Sequence, residues 1–256
     1  MARRSSQPAF TESSLDAEVA QYRPFCGLAV VAAAIGVLSA LALLAPLFWF
    51  LPVLGVVLSA AALHRIAAAD PVPVGRTAAL AGLGLSLLFA VSAPTDFYYY
   101  RWHLRDEASR FGLLWLDLLT TGQPEKACQV MQPAELRQPL DDKLWAHYPS
   151  GSEEREMLEG FVARRAVHAL LLLRDRATVR YFDTDKQWTR NERDYIAQSF
   201  AVTYVSPEGE KETFFVRLTM ERSRGDRAQR GFWRVVRPED DILPVALGGS
   251  PPETGA

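Results

Sequence analysis

From Phe25 to Ala93 the chain is almost unbroken apolar sequence, and its few charges (with His64) fall in one gap: His64, Arg65, Asp70 and Arg76. A soluble domain of ordinary size has no use for so long an apolar run. A membrane helix needs about 20 apolar residues, and Phe25–Leu63 is close to twice that, so the run requires a break. Leu44-Ala45-Pro46-Leu47 supplies it, because proline lacks an amide donor and disfavours helix in the residue before it. The pattern predicts three transmembrane helices near 25–45, 47–66 and 76–93, the last ending at Pro94. An aromatic girdle of Phe97, Tyr98, Tyr99, Tyr100 and Trp102 follows.

Small residues recur four apart within these helices: Ala32, Gly36 and Ala40; Gly55 and Ser59; Ala78, Gly82, Ser86 and Ala90. In lipid, close backbone approach across such residues replaces the hydrophobic drive, so Gly36, Gly55, Gly82 and Ser86 are the expected helix-packing positions. No Asp, Glu, Lys or Arg lies well inside a predicted span, which argues against a pump or ion-coupled carrier. His64, beside Arg65, reads as an interfacial end.

Arg3, Arg4 and Arg23 precede helix one, and Arg65 and Arg76 bracket the loop before helix three. The positive-inside rule places these in the cytoplasm. Residues 1–24 are then a cytoplasmic segment, and three crossings put everything after the 25–95 membrane unit outside. Glu12, Asp16 and Glu18 in a long leading segment argue against a cleaved signal peptide. The expected location is the bacterial inner membrane, with the lipid bilayer as first partner.

The formal net charge is -2. Acidic and basic residues crowd together after Tyr100 and nearly cancel, so no basic face points to nucleic acid. Cys26 and Cys128 lie in different units and imply no disulfide framework. Nothing in the sequence calls for a cofactor, and no His/Cys spacing calls for a metal.

The segments Pro24–Ala29, Leu54–Leu58, Ala61–Ile66 and Gly75–Leu85 together resemble a small bacterial membrane domain of unknown function, a hydrophobic hairpin followed by a Gly/Ala-rich helix. The resemblance implies a membrane anchor fused to varied outer domains and brings no active residues.

After Arg101 the character changes. Ala108, Phe111, Trp115, Leu118 and Leu119 make a helical stripe over 105–121, stopped by Gly122. A short helix follows Pro124, a weak one lies near 140–147, and Glu153–Leu173 reads as one long helix with a charged first turn. Strands follow: Ala177–Asp183, Tyr195–Val205, Thr213–Glu221 and Phe232–Arg237. Ser206-Pro207-Glu208-Gly209 is the clearest turn. In the third strand Phe214, Val216, Leu218 and Met220 share one side, and Arg217 and Thr219 the other. Asp183, Asp185 and Glu192 read as a solvated turn without calcium-loop spacing. The Pro- and Gly-rich tail 241–256 reads as disordered.

Helices followed by an antiparallel meander make an α+β domain over 101–240. The Phe111–Leu119 helix with Gly122–Ala127, the hairpin Ala201–Leu218 and the closing Phe232-Trp233-Arg234-Val235-Val236 resemble the nuclear-transport-factor-like (SnoaL-like, cystatin-like) cone fold. That resemblance implies helices packed on a curved, cone-like sheet, and, in enzymes of the fold, an Asp or His base inside the cone. Asp117 and His168 are the candidate bases, and Tyr181, Tyr204 and Trp233 the candidate pocket lining. Each also has a plainer reading, Asp117 as the exposed residue of its helical turn and the aromatics as strand core. Three functions fit the resemblance. The leading one is a module that binds a small ligand, a cell-envelope component or another protein, with a second copy of the chain as a further candidate partner. The others are an isomerase or lyase working by general acid–base catalysis, and an envelope assembly scaffold of the kind that carries this fold in type IV secretion.

Overall fold

The computed structural model describes residues 26–69, 73–223 and 231–253. The segment 1–24, Phe25, Asp70 and most of the Ser223–Arg230 loop lie outside the described residues. The chain divides into two compact units, Met1–Arg101 and Trp102–Ala256.

In the first unit α1 (Gly27–Leu38) tightens into a 3-10 helix over Ser39–Leu43. Ala45 is extended, as the residue before a proline must be, and a 3-10 turn at Pro46–Trp49 leads into α2 (Phe50–Ala68). The third helix, α3, runs from Arg76 to Thr120. Two helical stretches, Pro46–Ala68 and Arg76–Thr120, are long and apolar enough to cross a membrane, while Gly27–Leu43 is apolar but shorter. Close approaches occur at the glycines. A Cβ on Gly36 would lie 2.8 Å from the Gly82 carbonyl oxygen, one on Gly82 would lie 2.7 Å from the Ala32 carbonyl oxygen, and one on Gly55 would overlap the Ser86 hydroxyl. Ala29, Ala62, Ile66 and Ala79 are buried between the helices. Trp49 meets Phe97 edge-on at 5.6 Å.

Pro94 does not end the third helix; it lies inside it, and the aromatic run from Phe97 to Trp102 is helical. Proline deletes one intrahelical bond, to the carbonyl four residues back. The Thr95 hydroxyl donates to the Val91 carbonyl at 2.7 Å, and the helix continues unbroken on both sides of the proline.

In the second unit the last turns of α3 bury Leu104, Ala108, Trp115, Leu116 and Leu119. The Trp115 indole N–H donates to the Ala127 carbonyl at 2.9 Å. Gly122, at φ 75°, closes the helix. After α4 (Pro124–Met131) come 3-10 turns at Ala134–Leu136 and Leu144–His147. The run expected as one helix is two, α5 (Glu153–Val162) and α6 (Arg165–Leu173). A straight helix with Leu158 and Phe161 in the core would bring Arg164 and Arg165 to the same face. The extended backbone of Arg164 resets the phase, so that Val167 and Leu170 are buried instead. The Ser152 hydroxyl caps α5 by accepting from the Arg155 amide.

Four antiparallel strands follow in the order β1-β2-β3-β4: β1 Thr178–Arg190, β2 Arg193–Val205, β3 Lys211–Ser223 and β4 Phe232–Glu239. Ile196, Phe200, Val202, Val216, Leu218 and Met220 form the core with Trp115, Leu116, Leu119, Phe161 and Leu170. The fold is therefore helices followed by a four-stranded antiparallel sheet. β1 is longer than expected. It passes through Asp183 and Asp185 with two register shifts, so these residues do not form a solvated turn. The turn is Asn191-Glu192, both left-handed at φ 49° and 61°, as a two-residue hairpin requires. The tail is also ordered where described, with a 3-10 turn at Val245–Leu247 against β1.

Candidate functional site

The five residues singled out from the sequence do not converge. Asp117 is exposed on α3, at the rim of a hollow of about 380 Å³ shared with Leu113, Thr120 and Val179. His168 is exposed on α6, pointing away from the Val167–Leu170 stripe. Tyr181 is 41% exposed; its hydroxyl pairs with that of Thr184 at 3.0 Å and its ring lies edge-on to Phe200. The Tyr204 hydroxyl donates to the Glu212 carboxylate. Trp233 stacks on Phe111 at 6.2 Å, and its indole N–H reaches Glu107 at 3.4 Å. Trp233 is in register with Arg222 and, through it, with Asp194. Tyr204 lies ten residues from Asp194 along β2, which is about 33 Å of strand. One pocket cannot hold both. Between sheet and helices the space is taken by Phe200 and its neighbours; a Cβ on Gly112 would already overlap the Phe200 ring.

The chemistry lies on the other face of the sheet. Arg217, expected on the polar side of β3, is 4% exposed. Its Nε donates to Asp185 Oδ2 at 2.8 Å, and Asp185 has no exposed side-chain surface. Arg217 Nη1 reaches Glu239 at 3.3 Å, and its Nη2 donates to the Leu243 and Ser250 carbonyls. Asp185 also accepts from the Ser199 hydroxyl and from the Val245 amide at 2.8 Å. Lys186 donates to the Pro252 carbonyl. A buried ion pair is tolerated only when its remaining donors and acceptors are also satisfied, and here the C-terminal segment satisfies them. This explains why the Pro- and Gly-rich tail folds. It also marks the cluster as a structural lock, with its donors and acceptors already spent.

Further along the same face, where β2 and β4 begin, the side chains are less fully paired. Glu221, 4% exposed, accepts from Arg193 Nη1 at 2.7 Å and from Arg234 Nη2 at 2.8 Å. Burial pushes the Glu221 carboxyl up, but the Arg234 guanidinium, the Tyr195 hydroxyl and Arg193 outweigh it and hold the group below its ordinary value. Arg137, from the loop after α4, donates to the carbonyls of Gln132 at 2.9 Å, Val130 at 2.8 Å and Trp233 at 2.5 Å. Among the described residues it has no carboxylate partner. Burial lowers its pKa and the nearby Arg234 charge lowers it further, against a weaker pull from Glu135. Arg137, Arg193, Arg234, Glu221, Glu135 and Ser223 line a cleft of about 80 Å³. Among the described residues its three guanidiniums face two carboxylates, which leaves one positive charge. Arg234 Nε is buried without a hydrogen-bond partner among the described residues, a deficit that costs about 1–3 kcal/mol when nothing fills it.

None of Arg137, Arg193 or Arg234 stands out in the sequence. A signal was nonetheless present: counting outward from the Ser206–Gly209 turn sets Tyr195 opposite Glu221, and Glu221 is in turn paired with Arg234. Arg137 gave no such signal, because its position is set by a loop.

A wider hollow of about 390 Å³ gathers Gln129, Gln138, His147, Glu153 and Glu154. Among the described residues no group of three or more His, Cys, Asp or Glu is placed to hold a metal ion. Cys26 and Cys128 are both free. No family model matches the chain, and no curated protein or solved structure is similar to it.

Proposed function

We propose that the chain is a bacterial inner-membrane protein with three crossings, a cytoplasmic N-terminus and an extracytoplasmic α+β domain that works as a binding module. The observation that carries the binding reading is the division of the sheet. Its helix-covered face is filled by Phe200, Leu218 and Met220, while the opposite face holds an arginine-lined cleft with an orphan donor. A filled interior supports recognition at the surface over chemistry in a cone.

The third crossing draws support from helix geometry. Gly27–Leu43 comprises 12 α-helical and 5 3-10 residues. At ~1.5 and ~2.0 Å rise per residue they span about 28 Å, near the ~30 Å of a bilayer's hydrocarbon core. The positive-inside distribution of Arg3, Arg4, Arg23, Arg65 and Arg76 supports the orientation.

Thiols introduced one at a time test the location. In spheroplasts, a membrane-impermeant maleimide is expected to label Glu208→Cys, in the exposed β2–β3 turn, without lysis, and Ser5→Cys only after lysis. The reverse pattern would put the domain in the cytoplasm and sink the proposal.

The enzyme reading keeps one foothold. His147, Glu153 and Glu154 share an open hollow, and an isomerase or lyase of this fold would have to work there, since Asp117 and His168 are apart and exposed.

A further inference from the structure

We propose that the cleft between Arg137, Arg193 and Arg234 binds a phosphoryl oxyanion. The inference rests on the binding-module reading and names the chemistry of what that module holds.

Three observations point the same way. Counted over the described residues, the cleft carries a net positive charge in a partly desolvated place, where a charge is worth more than in water. Its guanidiniums come from three separate segments: the loop after α4, the start of β2 and the start of β4. Arg137 is fixed by three backbone carbonyls, so its charge is positioned before any ligand arrives. Arg193 and Arg234 are braced against each other through Glu221. Finally, Arg234 Nε is a buried donor with no acceptor among the described residues. A missing acceptor and an uncompensated charge are what an anion supplies.

Size and shape narrow the class. A cavity of about 80 Å³ is several times the ~10–15 Å³ that one water needs and far below the ~300 Å³ at which drug-sized pockets begin. It admits one anionic group and excludes a whole ligand. A planar carboxylate serves one guanidinium fork well. A tetrahedral phosphoryl group presents oxygens in several directions and can meet donors arriving from three segments. The phosphoryl group could belong to a free phosphate or to a lipid headgroup.

The test uses the full chain in phospholipid-free detergent, titrated calorimetrically with inorganic phosphate and, separately, with a water-soluble short-chain phosphatidate, against chloride at matched ionic strength. Saturable binding is expected for at least one. If both bind, free phosphate suffices; if only the phosphatidate binds, the source is a headgroup. Arg193→Gln, at a half-exposed side chain, is expected to lower the unliganded Tm only modestly, because Arg234 still pairs with Glu221, and to weaken binding about 10-fold or more. Arg137→Gln is expected to weaken it at least as much, and Arg180→Gln, an exposed arginine on β1, to leave it unchanged. Absence of saturable binding to either compound overturns the inference, as does binding that Arg193→Gln and Arg180→Gln affect equally. Failure here leaves the maleimide pattern as expected, whereas failure of the underlying reading shows in that pattern whatever phosphate does.

Discussion

The two faces of the sheet are built from the same strands and stabilised by opposite means. Toward the helices, β2 and β3 present Ile196, Phe200, Val202, Val216, Leu218 and Met220, all fully buried. Their contribution is non-directional and grows with the apolar area removed from water. One residue over, the same strands present Ser199, Arg217, Thr219 and Glu221, each no more than 9% exposed. That face gains from hydrogen-bond geometry what it loses in desolvation. The contrast teaches where tolerance lies. The apolar face can be repacked by side chains of similar volume; the charged face fails if one partner is removed.

The largest expected effect is therefore on the charged face. Arg217→Ala strands Asp185 as a buried, uncompensated carboxylate and should cost toward ~5 kcal/mol, the upper end for such pairs. The double replacement Asp185→Leu with Arg217→Met should recover most of it. Denaturant unfolding checks both, and a loss for Arg217→Ala no larger than that of a surface substitution would erase the distinction between the faces. Phe200→Ala should cost ~3 kcal/mol or more through lost burial and a residual cavity. A cost below ~1 kcal/mol would mean that the interior is natively open, which would favour an enzyme.

Glu221 supplies a pH signature that the apolar face lacks. Its folded pKa lies below the ordinary 4.5, so its contribution is complete above that value and is lost as pH falls through the folded pKa. Stability measured from pH 6 downward should decline in the wild type, and Glu221→Gln should flatten part of that decline below the ordinary carboxylate range. An unchanged slope would mean that the Arg193–Glu221–Arg234 group is not held as described. The smallest effects belong to Asp117→Asn and His168→Ala. Both side chains are exposed, and each change should stay within ~0.5 kcal/mol; a larger loss from either would return it to the site.

Much of this architecture could be read from the residues, and the misses share a cause. Trp115 and Leu119 were legible because a helical stripe is a local signal. The alternation of Phe214, Val216, Leu218 and Met220 was legible for the same reason. What could not be read depended on partners distant in sequence. Arg217 looked like an outward residue until Asp185, 32 positions away, was brought to it by the shifts in β1. The tail looked disordered because its composition is that of a loop, and its order comes from carbonyls and an amide that Arg217 and Asp185 need. The break at Arg164 follows from two neighbouring arginines that no local helix preference forbids. Pro94 failed as a stop signal because the surrounding helix outweighs one missing bond.

The strap formed by residues 240–252 also sets an order of events. It lies C-terminal to every residue that it covers, so Arg217 and Asp185 acquire their full set of partners only when the strap docks.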